Sequence, residues 1–114
     1  MKRNCRKPAA FRHPRQFDAD NLDMVRAMIR TTPAAGFIGC ASALCDFDLR
    51  PKLGQIKAPT LFLCGSKDAA LPGTKALHAG VSGSAMTEIP GAGHISNIEN
   101  PPAFTRALVE FLTA

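Results

Sequence analysis

The stretch Pro59-Thr60-Leu61-Phe62-Leu63-Cys64-Gly65 decides the fold. It is short, unbroken in its apolar character from Leu61 to Cys64, and bounded by proline and glycine. A strand with one wet face alternates apolar and polar residues, whereas a strand covered on both faces does not. The lack of alternation therefore predicts a strand at 60–64 of the kind found in parallel sheets. A helix is predicted next, over about Pro72 to Val81. A second strand follows near Ala85–Ile89; its Met86-Thr87-Glu88-Ile89 pattern is less apolar and suits a place nearer the sheet edge. Asn100 can cap a final helix, Pro101 or Pro102 fits its first turn, and Phe104, Leu108, Phe111 and Leu112 form one apolar stripe. Residues 59–113 thus read strand, helix, strand, helix, and a right-handed crossover makes the two strands parallel.

Upstream of this unit the periodicity is helical. Leu22, Val25 and Ile29 predict a helix near 19–31, with Asp18 or Asn21 as its N-cap. Thr32-Pro33 ends it and opens a second helix over about 33–45, on which Phe37, Ala41 and Leu44 share one side. Gly36 and Gly39 weaken that helix, each by around 1 kcal/mol relative to Ala. Residues 46–56 form a connection with one helical turn near Pro51–Gly54.

The chain has 114 residues, enough for one domain with a modest core. Its net charge is +5, but Lys2, Arg3, Arg6, Lys7, Arg12 and Arg15 all lie within residues 1–17, which hold no acid, and the remainder carries −1. Residues 1–17 therefore read as a basic, poorly ordered tail rather than part of the folded unit. A basic tail could meet phosphates, yet a nearly neutral folded part argues against a nucleic-acid binder. No apolar run approaches the roughly 20 residues that a membrane-spanning helix requires. The four cysteines, Cys5, Cys40, Cys45 and Cys64, include no C-x-x-C pair. Their scatter suggests reduced thiols and a cytoplasmic protein, with Cys40 and Cys45 as small core-packing groups. No metal or organic cofactor is implied.

In open parallel sheets, functional groups gather beyond the carboxyl ends of the strands. Asp68 follows the first strand and His94 follows the second, in Glu88-Ile89-Pro90-Gly91-Ala92-Gly93-His94. Adjacent strands lie about 4.8 Å apart. Both loops leave the same end of the sheet, so a carboxylate–imidazole contact is geometrically reasonable. Gly91 and Gly93 provide backbone freedom for the loop to fold back. A carboxylate on one ring nitrogen fixes the tautomer and leaves the other for general-base work. The plainer alternatives are an Asp that only forms an Asx-turn at the next helix, and a histidine that only closes a loop.

The segments Ile56–Pro72, Ile89–His94 and Asn100–Leu112 together resemble the end of the α/β-hydrolase family. Within that family the chain is most similar to 3-oxoadipate enol-lactonases. That similarity extends upstream through Met24–Arg30, Gly36–Leu44 and Asp46–Leu53, and it covers about residues 20–114. The resemblance implies an α/β fold in which two parallel strands with crossover helices form a C-terminal fragment, preceded by cap-like helices. On that basis residues 18–55 are a helical cap remnant and connection, and 56–114 the C-terminal hydrolase portion. It also implies Asp68 as the triad acid and His94 as the triad base, acting on a small lactone or ester.

The family nucleophile sits in G-x-S-x-G on a strand-to-helix turn. Ser42, Ser66, Ser82, Ser84 and Ser96 all lie outside such a motif. In family order the nucleophile precedes the acid and the base. The expectation is therefore a chain lacking its N-terminal half and inactive alone. The alternative is a non-catalytic module that pairs with a separate N-terminal half, or with itself, through the open edge of the strand at 60–64.

Overall fold

The computed structural model describes residues 19–45 and 47–114, and they divide between Asp48 and Leu49 into two compact units. The first holds α1 (Ala19–Thr31) and α2 (Ala34–Cys45). Asp20 in the first turn of α1 and Arg30 in its last complement the helix dipole. The helix ends in side-chain bonds to its last carbonyls: Thr31 Oγ1 donates to Ala27 O at 3.0 Å and Thr32 Oγ1 to Met28 O at 2.9 Å. Pro33 then opens α2, whose Phe37 N–H donates to Pro33 O at 3.0 Å. Asp18, one of the two N-cap candidates for α1, lies outside the described residues.

No residue of α2 is buried. Phe37, Ile38 and Leu44 are all exposed, and so are Cys40 and Cys45, which corrects the expectation that these two cysteines pack in a core. The reason is in the helix itself: Ala-Ala-Gly-Phe-Ile-Gly-Cys-Ala is apolar all round, so its periodicity singles out no inward face. Cys40 and Cys64 are free thiols. No helix among the described residues is long and apolar enough to cross a membrane.

The second unit begins with a 3-10 turn at Arg50–Gln55. It continues through β1 (Leu61–Gly65), α3 (Leu71–Gly80), β2 (Ala85–Ile89), α4 (Ser96–Glu99) and α5 (Pro101–Leu112). β1 and β2 pair in parallel, with Leu61 opposite Ala85 and Gly65 opposite Ile89. The crossover reading of this region is therefore met. The short helix α4 is the element that apolar periodicity did not announce; four residues are too few to show a period.

Strand alternation sorts the two faces. Phe62, Cys64 and Glu88 meet α3: the Phe62 and His78 rings stand edge-on at 6.0 Å, Thr74 Oγ1 donates to Cys64 Sγ at 3.6 Å, and Lys75 pairs with Glu88 at 2.8 Å. On the other face Ile89, fully buried, forms a core with Ala92 and Ala107, closed by Leu63, Ala103 and Phe104. α5 is held at its start as the sequence anticipates: Asn100 Oδ1 accepts from Ala103 N–H at 3.3 Å, with prolines in the first turn. Burial along β1 is uneven. Leu61–Leu63 are half-buried, while Cys64 and Gly65 are buried. The strand is thus best covered at its carboxyl end, from which the next loop departs.

Candidate active site

Asp68 sits at the end of a tight turn after β1, its N–H donating to Gly65 O at 3.0 Å. Its two carboxylate oxygens do different work. Oδ1 accepts from Ala70 N–H at 2.9 Å, the Asx-turn that starts α3. Oδ2 faces His94 Nδ1 at 3.0 Å and takes a weaker bond from Cys64 Sγ at 3.6 Å. The plain capping role and the histidine contact therefore coexist on one side chain. The Asp68 side chain is only 5% exposed and that of His94 is 59% exposed. A shielded carboxylate thus backs an imidazole that reaches solvent.

The electrostatics follow from that geometry. Burial pushes the Asp68 carboxyl up, but the Ala70 N–H, the His94 hydrogen bond and charge, and the Cys64 thiol outweigh it and hold it below its ordinary value. Burial pushes the Cys64 thiol up; the Thr74 hydroxyl opposes this and the Asp68 charge reinforces it. Cys64 is therefore a neutral donor to the carboxylate rather than a thiolate.

The histidine loop is tied down residue by residue. Ser66 N–H donates to Ile89 O at 3.0 Å and Lys67 N–H to Ala92 O at 2.9 Å, so the loop after β1 carries the loop after β2. Asn100 Nδ2 donates to Pro90 O at 2.9 Å, and Gly91 N–H donates to Ser66 Oγ at 2.9 Å. Gly91 has φ 71°, the left-handed conformation that glycine adopts without penalty. Gly93 does not share it; Gly93 is buried, and its N–H donates to the Glu99 carboxylate, which also accepts from Ile95 N–H at 3.2 Å.

A third glycine matters more, and it is one that the sequence offered only as a strand boundary. A Cβ on Gly65 would overlap the carbonyl oxygens of Gly93 and Ala92 and stand 2.6 Å from the Ala92 carbonyl carbon. The backbone before His94 thus rests directly on the end of β1. A glycine ending a strand can announce such an approach, but only the opposing loop shows which backbone arrives. Local patterning does not mark Glu99 and Asn100 as loop anchors, because what they hold lies four to ten residues away around a turn.

The structure therefore brings together the two residues that the sequence put forward, Asp68 and His94, across 26 residues of chain. The pair can hold one imidazole tautomer, with Nδ1–H toward Asp68, and can stabilise an imidazolium formed by proton uptake at Nε2. Among the described residues, no group of three or more His, Cys, Asp or Glu side chains could hold a metal ion.

No protein-family model matches the chain. It is 35% identical over 77 residues to 3-oxoadipate enol-lactonase 2 of Acinetobacter baylyi, a match covering 66% of this chain and 28% of that protein. Its fold superposes on a hydrolase from Pseudomonas aeruginosa with a TM-score of 0.77 and 33% identity, over 86% of this chain and 40% of the other. An enol-lactonase from Burkholderia xenovorans gives a TM-score of 0.74 and 37% identity, over 89% of this chain and 42% of the other. The chain therefore spans less than half the length of each of these proteins. By sequence and by fold alike, the chain is similar to the C-terminal portion of α/β-hydrolases.

Proposed function

We propose that Asp68 and His94 are the acid and base of a Ser-His-Asp hydrolase of the 3-oxoadipate enol-lactonase type. The observation that carries this is the 3.0 Å contact between a buried Asp68 Oδ2 and a solvent-reaching His94 Nδ1. In the reaction a serine Oγ attacks the lactone or ester carbonyl while His94 Nε2 takes its proton. Asp68 keeps the ring in the productive tautomer and balances the imidazolium. His94 then returns the proton to the leaving oxygen, and water, activated in the same way, releases the acid from the acyl-enzyme. The order acid then base along the chain is that of α/β-hydrolases, in which the serine comes first.

None of the five serines of this sequence lies in G-x-S-x-G. The proposal accordingly assigns the nucleophile to a polypeptide segment outside these residues, the role of a cap remnant to α1 and α2, and little or no activity to the 114-residue chain by itself. The test is hydrolysis of p-nitrophenyl acetate and of an enol-lactone by the purified chain. Enzyme-like turnover that disappears in His94→Ala would overturn the assignment of an external nucleophile.

A second reading is favoured by one observation: among the described residues β1 pairs with β2 on one edge and with no strand on the other. An apolar strand with an open edge is a template for another strand. In this reading the chain docks through β1 on a separately made N-terminal hydrolase half. Co-expression with such a half, followed by size-exclusion chromatography, tests it; separate elution of the two chains refutes it.

A further inference from the structure

We infer that Glu99 is a positioning residue for His94: its carboxylate, held between the backbone N–H groups of Gly93 and Ile95, sets the angle at which the imidazole meets Asp68. This deepens the acid–base reading of Asp68 and His94 and rests on it. The two amides bracket His94. One carboxylate oxygen accepts from Gly93 N–H and the other from Ile95 N–H at 3.2 Å. The helix α4 makes this reach possible: Glu99 N–H donates to Ile95 O at 3.0 Å, so the side chain folds back one turn onto the segment that precedes it.

The need for such an anchor follows from exposure. With 59% of its side chain exposed, the aim of His94 at Asp68 depends also on how its backbone is fixed. Bonds from amides to an ionised carboxylate are stronger than bonds between neutral groups. The Gly93 amide is also buried, so removing its acceptor leaves a donor with no water to replace it. Gln at this position keeps one oxygen for one amide and turns an NH2 group toward the other. Ala removes both acceptors. A graded response is therefore expected, with Glu99→Gln weaker in effect than Glu99→Ala.

The experiment uses the full 114-residue chain and three variants: Glu99→Gln, Glu99→Ala, and Ser84→Ala as a destabilised control. Ser84 lies just before β2, at the other end of the sheet from His94, and its hydroxyl donates to Val81 O at 2.8 Å. Thermal midpoints are measured alongside two NMR readouts, the carboxyl-carbon titration of Asp68 and the Nδ1–H resonance of His94. All three variants should lower the thermal midpoint. Only the Glu99 variants should raise the titration midpoint of Asp68 and cost the His94 resonance, partly in Gln and fully in Ala. A folded Glu99→Gln with both readouts as in the wild type overturns the inference, as does failure of both Glu99 variants to fold, which would make Glu99 a residue of the fold alone. Failure of the underlying acid–base reading looks different: His94→Ala would leave the Asp68 titration of the otherwise wild-type chain unmoved.

Discussion

Replacing Gly65 by Ala adds one methyl group at the point where the two functional loops touch. The added carbon would stand 2.6 Å from the Ala92 carbonyl carbon and overlap the oxygens of Ala92 and Gly93. Carbon atoms in contact prefer about 3.5–4.0 Å, so the backbone must open by about an ångström. No flexible side chain can yield instead, because every close atom is backbone. Moving residues 92–93 stretches the bond from Lys67 N–H to Ala92 O, now 2.9 Å, and the bond from Gly93 N–H to Glu99. Overpacking strain of about 1–3 kcal/mol and roughly 1 kcal/mol for a lost hydrogen bond together give about 2–4 kcal/mol. For a unit of this size that lowers the thermal midpoint by roughly 10 °C or more. The measurement is calorimetric or circular-dichroism melting of Gly65→Ala beside Gly73→Ala. A Cβ at Gly73, inside α3, meets nothing within 4 Å, so the same chemical change there should stabilise by up to about 1 kcal/mol through helix propensity. If Gly65→Ala melts within about a degree of the wild type, the close approach of the two loops is not what holds His94 in place.

Other perturbations act on the same few groups. Because the folded Asp68 carboxyl lies below its ordinary value, it stabilises the fold above the unfolded value near pH 4, and that contribution is lost as pH falls through the folded value; denaturation midpoints measured down this range should fall in the wild type and flatten in Asp68→Asn. In a complex with an N-terminal hydrolase half that supplies the serine, Asp68→Asn should cut kcat by roughly ten-thousand-fold with KM little changed, measured on an enol-lactone. Asn100→Ala removes both the cap on α5 and the bond to Pro90 O, and should cost about 1–2 kcal/mol in chemical denaturation.

The secondary structure of the second unit was legible because its signals are local. An apolar run between Pro59 and Gly65 needs no partner to be recognised as a strand, and Asn100-Pro101-Pro102 writes a helix start within three residues. α2 was legible as a helix but not in its packing, since a segment apolar on every side points nowhere; its cysteines were misplaced in a core for that reason. Asp68 and His94 could be named because strands alternating with a helix place their following loops at one end of the sheet.

The sequence by itself determined both strands and the longer helices, and that two parallel strands deliver a carboxylate and an imidazole to the same rim. Tertiary structure alone decided that Oδ2 rather than Oδ1 of Asp68 meets His94, that Gly65 leaves room for the backbone of Ala92 and Gly93, and that Glu99 reaches back to the amides around His94. The physical reason is range. Helix and strand preferences depend on neighbours a few residues apart, whereas these contacts depend on where a crossover sets one loop against another, to within an ångström that no local pattern encodes.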